Sequence, residues 1–312
     1  MNRTASGKHE YLNYIDTAKG VLISLVILGH VFMHAKIMQF AFTFHLSSFL
    51  IISGILIFHV RKTERSLFRN IKDAVYVFII PYIFFETVGA ALKYFSGTEQ
   101  SIHQLIYDSL TGNCHVGADW YLLAAFFAEI IFFAIEKIPV NKYIRIPVYI
   151  ASFAAGSLLP RDPFVYIFLD RILIALAFIA AGYYLYSLYT SVHRWLIILS
   201  AIAVYGCTAL NGFVSLYRIN IGNPLLYLTG ALFGAYLCIS LCHLFPSKVF
   251  QIIGQNSLIL MGTNQNFVNY LNVDSLPLLL IICIMSIPLV ALIRTFFPFC
   301  AGIRKKKNLS MS

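Results

Sequence analysis

An all-α, polytopic integral membrane protein is the fold class the sequence predicts, on three observations. Apolar residues make up 59% of the 312 and charged residues only 12%, whereas soluble domains carry roughly 25% charged and 45–50% apolar residues. Mean hydropathy is +0.78, and the apolar residues gather in runs near the roughly 20 residues that cross a hydrocarbon core of about 30 Å. Lys and Arg alternate in abundance from loop to loop, as the positive-inside rule requires of membrane spans. Disorder is excluded by the same composition, because a chain this apolar has ample material to bury.

About ten spans follow in order. The first, 17–35, holds Lys19 and His30, with Asp16 at its edge, and no small-residue cleavage pattern follows it, so it is not a removable signal peptide. The second, 40–60, is reached through a short connection around 36–39 and so lies antiparallel to the first. A basic loop carrying Arg61, Lys62, Arg65, Arg69 and Lys72 leads to the third, 74–95. The fourth, 119–137, opens on Trp120 and Tyr121, rings that suit either an interfacial anchor or sugar stacking. The fifth, 146–160, is short and stops at Pro160; the sixth, 168–190, carries Asp170 and Arg171 near its outer end. Strongly apolar runs at 194–211 and 223–245 give the seventh and eighth. The ninth, 250–271, is unusually polar, and 275–297 is the tenth.

With the N-terminus in the cytosol, eighteen of the 23 Lys and Arg residues fall inside and five (Lys36, Lys93, Arg161, Arg171, Arg218) outside. Both termini are therefore expected in the cytosol, which requires an even number of spans. No linker or composition shift divides the chain, so 1–312 reads as a single membrane domain. Residues 1–15 form a cytosolic N-terminal segment and 298–312 a basic cytosolic tail. No inverted sequence repeat is visible.

The net charge of +10 and pI near 9.3 do not point to nucleic acid, because the sequence offers no basic exposed face or reading module. Six cysteines, mostly inside apolar runs, lack the spacing of a zinc site or a disulfide framework. Cys238, Cys242 and His243 lie close together, which small residues packed on a helix explain without a metal. Neither metal nor nucleic acid is expected.

An ionisable side chain inside a membrane costs several kcal/mol (roughly 3) unless paired or hydrated, so each one is a functional candidate. Asp16, Lys19 and His30 share one helical face, with Lys19 roughly 16 Å below His30 at 1.5 Å per residue. Asp16 also suits an ordinary first-turn carboxylate, and Lys19 a snorkelling anchor. His30 lies deeper and follows Gly29, whose missing side chain admits a neighbouring helix or ligand. His45, near the outer end of the second span, is expected at a similar depth. Two imidazoles in a water-poor site suit general acid–base chemistry, the alternative being interhelical hydrogen bonding.

These residues resemble the membrane-bound acyltransferase family 3, especially its fucose 4-O-acetylase-like branch. The likeness rests on D-x-x-K-G followed by Gly29 and His30, on F-H-L and I-S-G (Phe44, His45, Leu46, Ser53, Gly54), and on I-P-Y (Ile80, Pro81, Tyr82). It continues through D-W-Y-L with Trp120 and Leu122, L-D-R and A-G-Y-Y-L (Asp170, Arg171, Gly182, Tyr183), and I-G-Q-N-S-L (Ile253, Gly254, Asn256, Ser257, Leu258). It spans roughly 11–270. The resemblance implies transfer of an acetyl group from cytosolic acetyl-CoA to a hydroxyl of a cell-envelope glycan or lipid-linked sugar, in the bacterial inner membrane. His30 matches the family's essential histidine and Lys19 its basic partner. One departure stands out: the branch often places a further histidine several residues after the late S-L, where this chain reads Leu260, Met261, Gly262, Thr263, Asn264, Gln265. Neither Asn264 nor Gln265 can shuttle a proton at neutral pH.

On this resemblance His30 is the expected general base, or a residue acylated in a relay, and His45 orients the acceptor or stabilises charge. Lys19 meets the phosphates of acetyl-CoA or pairs with Asp16, while Arg61 and Arg65 add phosphate contacts or simply set topology. Trp120, Asp170, Arg171 and Asn264 are the expected acceptor-binding residues. The competing class is a transporter or flippase for a lipid-linked saccharide, in which Asp16, Lys19, His30, Glu86 and Glu129 line a path. A scaffold or sensor does not explain the charge stripe.

Overall fold

The computed structural model describes residues 11–32, 36–97, 101–111, 114–159, 169–217, 220–271 and 273–301. Arg3, Lys8, Arg161, Arg218, Arg304, Lys305, Lys306 and Lys307, which enter the charge balance, lie outside them, as do residues 1–10 and 302–312 of the two terminal segments. Among the described residues the chain is helical, with a single β-bridge between Ser215 and Asn220.

Helix α1 runs Asn13–Val31, and the second span is two helices, α2 (Lys36–Phe42) and α3 (His45–His59). The third span starts earlier than its hydropathy implies: α4 (Leu67–Ala74) passes through a π-helical turn at Val75–Ile79 into α5 (Ile80–Phe95). Pro81 lacks the N–H that the carbonyl four residues earlier would accept, which accounts for the irregular turn beside it. A short helix α6 (Ile102–Thr111) follows in what hydropathy leaves as a loop, then α7 (Trp120–Lys137) and α8 (Lys142–Leu158). The sixth span is α9 (Leu169–Tyr184) with a break at Leu185 before α10 (Tyr186–Thr190). Next come α11 (Arg194–Asn211), α12 (Pro224–Leu244), the broken pair α13 (Lys248–Gln255) and α14 (Ser257–Tyr270), and α15 (Ser275–Phe296).

Helix starts follow ordinary capping chemistry. The Ser66, Asn141, Asn223 and Ser247 side chains accept backbone N–H bonds at the starts of α4, α8, α12 and α13. Pro224 occupies the first turn of α12, where its missing donor is not needed.

Among the described residues, six segments are long and apolar enough to cross a membrane: Asn13–Val31, Met38–His59, Leu67–Phe95, Arg194–Asn211, Pro224–Leu244 and Ser275–Phe296. The remaining four expected spans are helical as well, but α8 and α9 have only 17 and 16 residues. Helix α7 carries Glu129, Glu136 and Lys137, and the ninth span is interrupted at Asn256.

The main core gathers Leu22 and Ile23 of α1, Ile51 and Ile55 of α3, Phe132 of α7, Phe178 and Ile179 of α9, and Tyr227 and Ile239 of α12. Two backbone-to-backbone crossings organise it. Helix α1 packs along α13 and α3 along α9. A methyl group at Gly20 would overlap the Phe250 carbonyl, and one at Gly254 the Asp16 carbonyl; Gly54 and Gly182 meet the backbones of Ile179 and Ile51 in the same way. Close approach through small residues is how membrane helices gain dispersion contact where lipid supplies no hydrophobic drive. The break between α2 and α3 has its own accommodation in α12, where Gly230 lies under Thr43 and Gly234 under the Phe44 ring.

Candidate functional site

The stripe on α1 faces the broken pair α13–α14 along its length. At the N-terminal end Asp16 is 5% exposed and pairs with Lys19 at 2.6 Å. The Tyr11 hydroxyl donates to the same carboxylate, and Gln255 Nε2 of α13 reaches it at 3.4 Å. Further along, His30 Nδ1 lies 2.8 Å from Asn264 Oδ1 of α14. Asp16, Lys19 and His30 thus do share one face, and each end of it is tied to a polar side chain of the ninth span. Tyr14 stacks on His243 at 4.2 Å between ring centres, closing the α1 end against α12.

His45 is the first residue of α3, buried, with Nδ1 2.7 Å from the Ala41 carbonyl. The helix break at Thr43 and Phe44 puts it there. The Phe42 ring lies edge-on to His45 at 5.0 Å and fills the space left by Gly29. The same Phe42 ring lies against both His45 and Gly29, the residue before His30, and so links the two histidine-bearing segments. His30 remains partly exposed while His45 is closed off. Such an arrangement can hold one imidazole ready for a proton while the other shapes the wall beside it.

Arg61 and Arg65 each have a carboxylate partner of their own. Both sit on the turn after α3, where Arg61 pairs with Glu64 at 3.7 Å and Arg65 with Asp73 at 3.4 Å. Arg65 also donates to the Val60 carbonyl at 3.4 Å. Lys19 is likewise balanced by Asp16.

Trp120 and Arg171 are brought together. The Arg171 guanidinium lies 5.6 Å from the Trp120 ring centre and 5.5 Å from that of Tyr217, and its Nε donates to the Tyr217 carbonyl at 3.0 Å. Arg171 Nη2 donates to the same carbonyl. Cation–π contact of this kind orients the planar fork. Asp170 accepts the backbone N–H of Arg171 at 2.7 Å. Trp120 and Tyr121 are 3% and 7% exposed, so the interfacial-anchor reading is corrected: both rings are core residues, and the Trp120 ring faces the Arg171 guanidinium.

Two polar centres are not evident from the sequence. Glu136 accepts from the Tyr149 and Tyr184 hydroxyls at 2.8 and 2.7 Å and from Arg145 at 2.7 Å, joining α7, α8 and α9. Glu86 is conspicuous in the sequence only as a charge in an apolar span; it accepts the backbone N–H groups of His115 and Val116 at 2.8 and 3.0 Å and so pins the loop before α7. A tyrosine pair after a helix-end carboxylate is the available signal for the first; the second has none, because its donors are main chain. In the same loop burial pushes the Cys114 thiol up, which keeps it protonated and unreactive.

Comparison with known proteins gives one finding. A family model described as an acyltransferase domain matches residues 12–295. No curated protein matches, and no solved structure matches.

Proposed function

The chain belongs to this acyltransferase family, and on that premise we propose that it moves an acetyl group from cytosolic acetyl-CoA to a hydroxyl of a cell-envelope glycan or lipid-linked sugar. The setting we propose is the bacterial inner membrane, with ten spans and both termini in the cytosol. The observation that carries the reading is His30: an imidazole on a membrane helix, partly exposed and hydrogen-bonded to a neutral amide. Transport of a saccharide does not account for an acyltransferase match.

In the proposed reaction the His30 imidazole takes the proton of the acceptor hydroxyl as its oxygen attacks the thioester carbonyl. The carbon–sulfur bond breaks, the ester forms, and the proton returns from the imidazolium to the CoA thiolate, leaving His30 neutral for the next cycle. His45, buried against Phe42, shapes the wall that holds the acceptor. Lys19 is the cation nearest the cytosolic end of the stripe, and a donor phosphate would take the place of the Asp16 carboxylate beside it. Arg171, supported by Trp120 and flanked by Tyr217, suits a sugar ring or an anionic group on the acceptor.

The test is thiol release. Purified protein given acetyl-CoA and an envelope extract should liberate free CoA, and His30→Ala should lower the rate by about 10²–10⁴-fold with insertion intact. Undiminished turnover in that variant overturns the assignment of the base. Mass spectrometry of surface glycans from cells with and without the protein would name the group transferred.

A further inference from the structure

We infer that Asn264 is a positioning residue that dictates which nitrogen of His30 carries the proton, and so presents Nε2 as the base. The inference rests on the reading of His30 given above. It starts from the asparagine, not from the histidine. Asn264 Nδ2 lies 2.6 Å from the Leu260 carbonyl and 3.0 Å from the Met261 carbonyl. A main-chain carbonyl only accepts, so the amide NH₂ must point at these two oxygens and both of its protons are engaged. Turning the amide over would set Oδ1 against two carbonyl oxygens with no hydrogen between them. The orientation is thereby fixed by the helix's own backbone, one turn back.

What remains to face His30 is Oδ1, which has no proton to give. At 2.8 Å from Nδ1, it requires Nδ1 to be the donor, and the neutral ring then carries its lone pair on Nε2. The same tautomer arises at His45 by a different route, since Nδ1 there is 2.7 Å from the Ala41 carbonyl. His45 is locked by main chain and no substitution elsewhere can release it. His30 is locked by a side chain, so its tautomer is adjustable by sequence. The late segment that lacks the branch's usual histidine is the segment that supplies this lock. An amide stays neutral in both protonation states of His30, so no like charge opposes the imidazolium when it forms.

The test compares wild type with Asn264→Asp and Asn264→Leu, reading CoA release against pH together with the ¹⁵N spectrum of the His30 ring, identified by difference from His30→Ala. Aspartate still accepts from Nδ1–H and adds a negative charge, so turnover should persist while the acid limb of kcat moves up by about 1 pH unit. Leucine removes the acceptor: kcat should fall about 10–100-fold with KM little changed, and the spectrum should show a mixture of tautomers. An unmoved acid limb in the aspartate variant, or an Nε2–H ring in the wild type, overturns the inference. If the wild type releases no CoA at all, the functional reading fails, while the spectrum still decides the tautomer. Should the leucine variant not fold, the aspartate profile and the wild-type spectrum suffice.

Discussion

Asp119 is a carboxyl group enclosed by the core. It is fully enclosed, and neither carboxyl oxygen has a hydrogen-bond donor among the described residues. Beside it stands Glu86, already accepting two backbone N–H bonds. An amide at 119 supplies a donor to Glu86 where a second carboxyl group supplies at best a shared proton. Asp119→Asn should therefore melt no lower than wild type in detergent, whereas Glu86→Ala, which strands two buried main-chain donors at about 1–3 kcal/mol each, should melt several degrees lower. A lower melting point for the asparagine variant would show that the carboxyl at 119 has a partner of its own. Residues of this scale are legible in the sequence where charge is anomalous: Asp16, Lys19 and His30 stand out in an apolar run. The bond from Asn264 to His30 is not, because it joins residues 234 positions apart and an asparagine in a polar helix carries no anomaly. Trp120 misleads for the opposite reason, since an aromatic at a span's edge has the same sequence signature whether it faces headgroups or core.

At the level of the helix, glycine does more than hydropathy can register. The four glycines quoted from separate motifs join in pairs, Gly20 with Gly254 and Gly54 with Gly182, each seated on the other helix's main chain. Gly20→Ala should cost about 1–3 kcal/mol through overpacking, because the obstruction is a backbone carbonyl and not a movable side chain. A methyl group at Gly206 of α11 would meet no neighbour within 4 Å, and alanine there should be neutral or stabilise by about 0.5–1 kcal/mol. Thermal melting of the two variants side by side checks both, and equal melting points would mean that α1 and α13 are less tightly joined than their backbones indicate. The existence of most spans follows from apolar length alone. The breaks at Thr43–Phe44, Leu185 and Asn256 do not, because a window of about twenty residues averages over one or two irregular ones, and the glycines that admit the first break lie on α12.

For the molecule as a whole, charge asymmetry sets a definite expectation. A reporter active only in the cytosol should work when fused to either terminus, and a reporter active only outside should work in the connection around 98–100. Termini reporting from opposite sides would require an odd number of spans and overturn the proposed topology. Loop composition sets the expectation for orientation and span number; which helix lies against which is not readable there, since lipid-facing and core-facing stretches are alike apolar. The neighbours of α1, from which the site takes its partners, emerge only in three dimensions. The seating of Gly20 on Phe250 has one more bearing. Sliding α1 by a turn, about 5.4 Å, would drive Asp16 or Ser24 into the notch that only glycine fits, so this helix cannot serve as a piston. Its imidazole is a fixed post, and on the proposed reaction any traffic between the two aqueous compartments has to be made by the donor and the acceptor themselves.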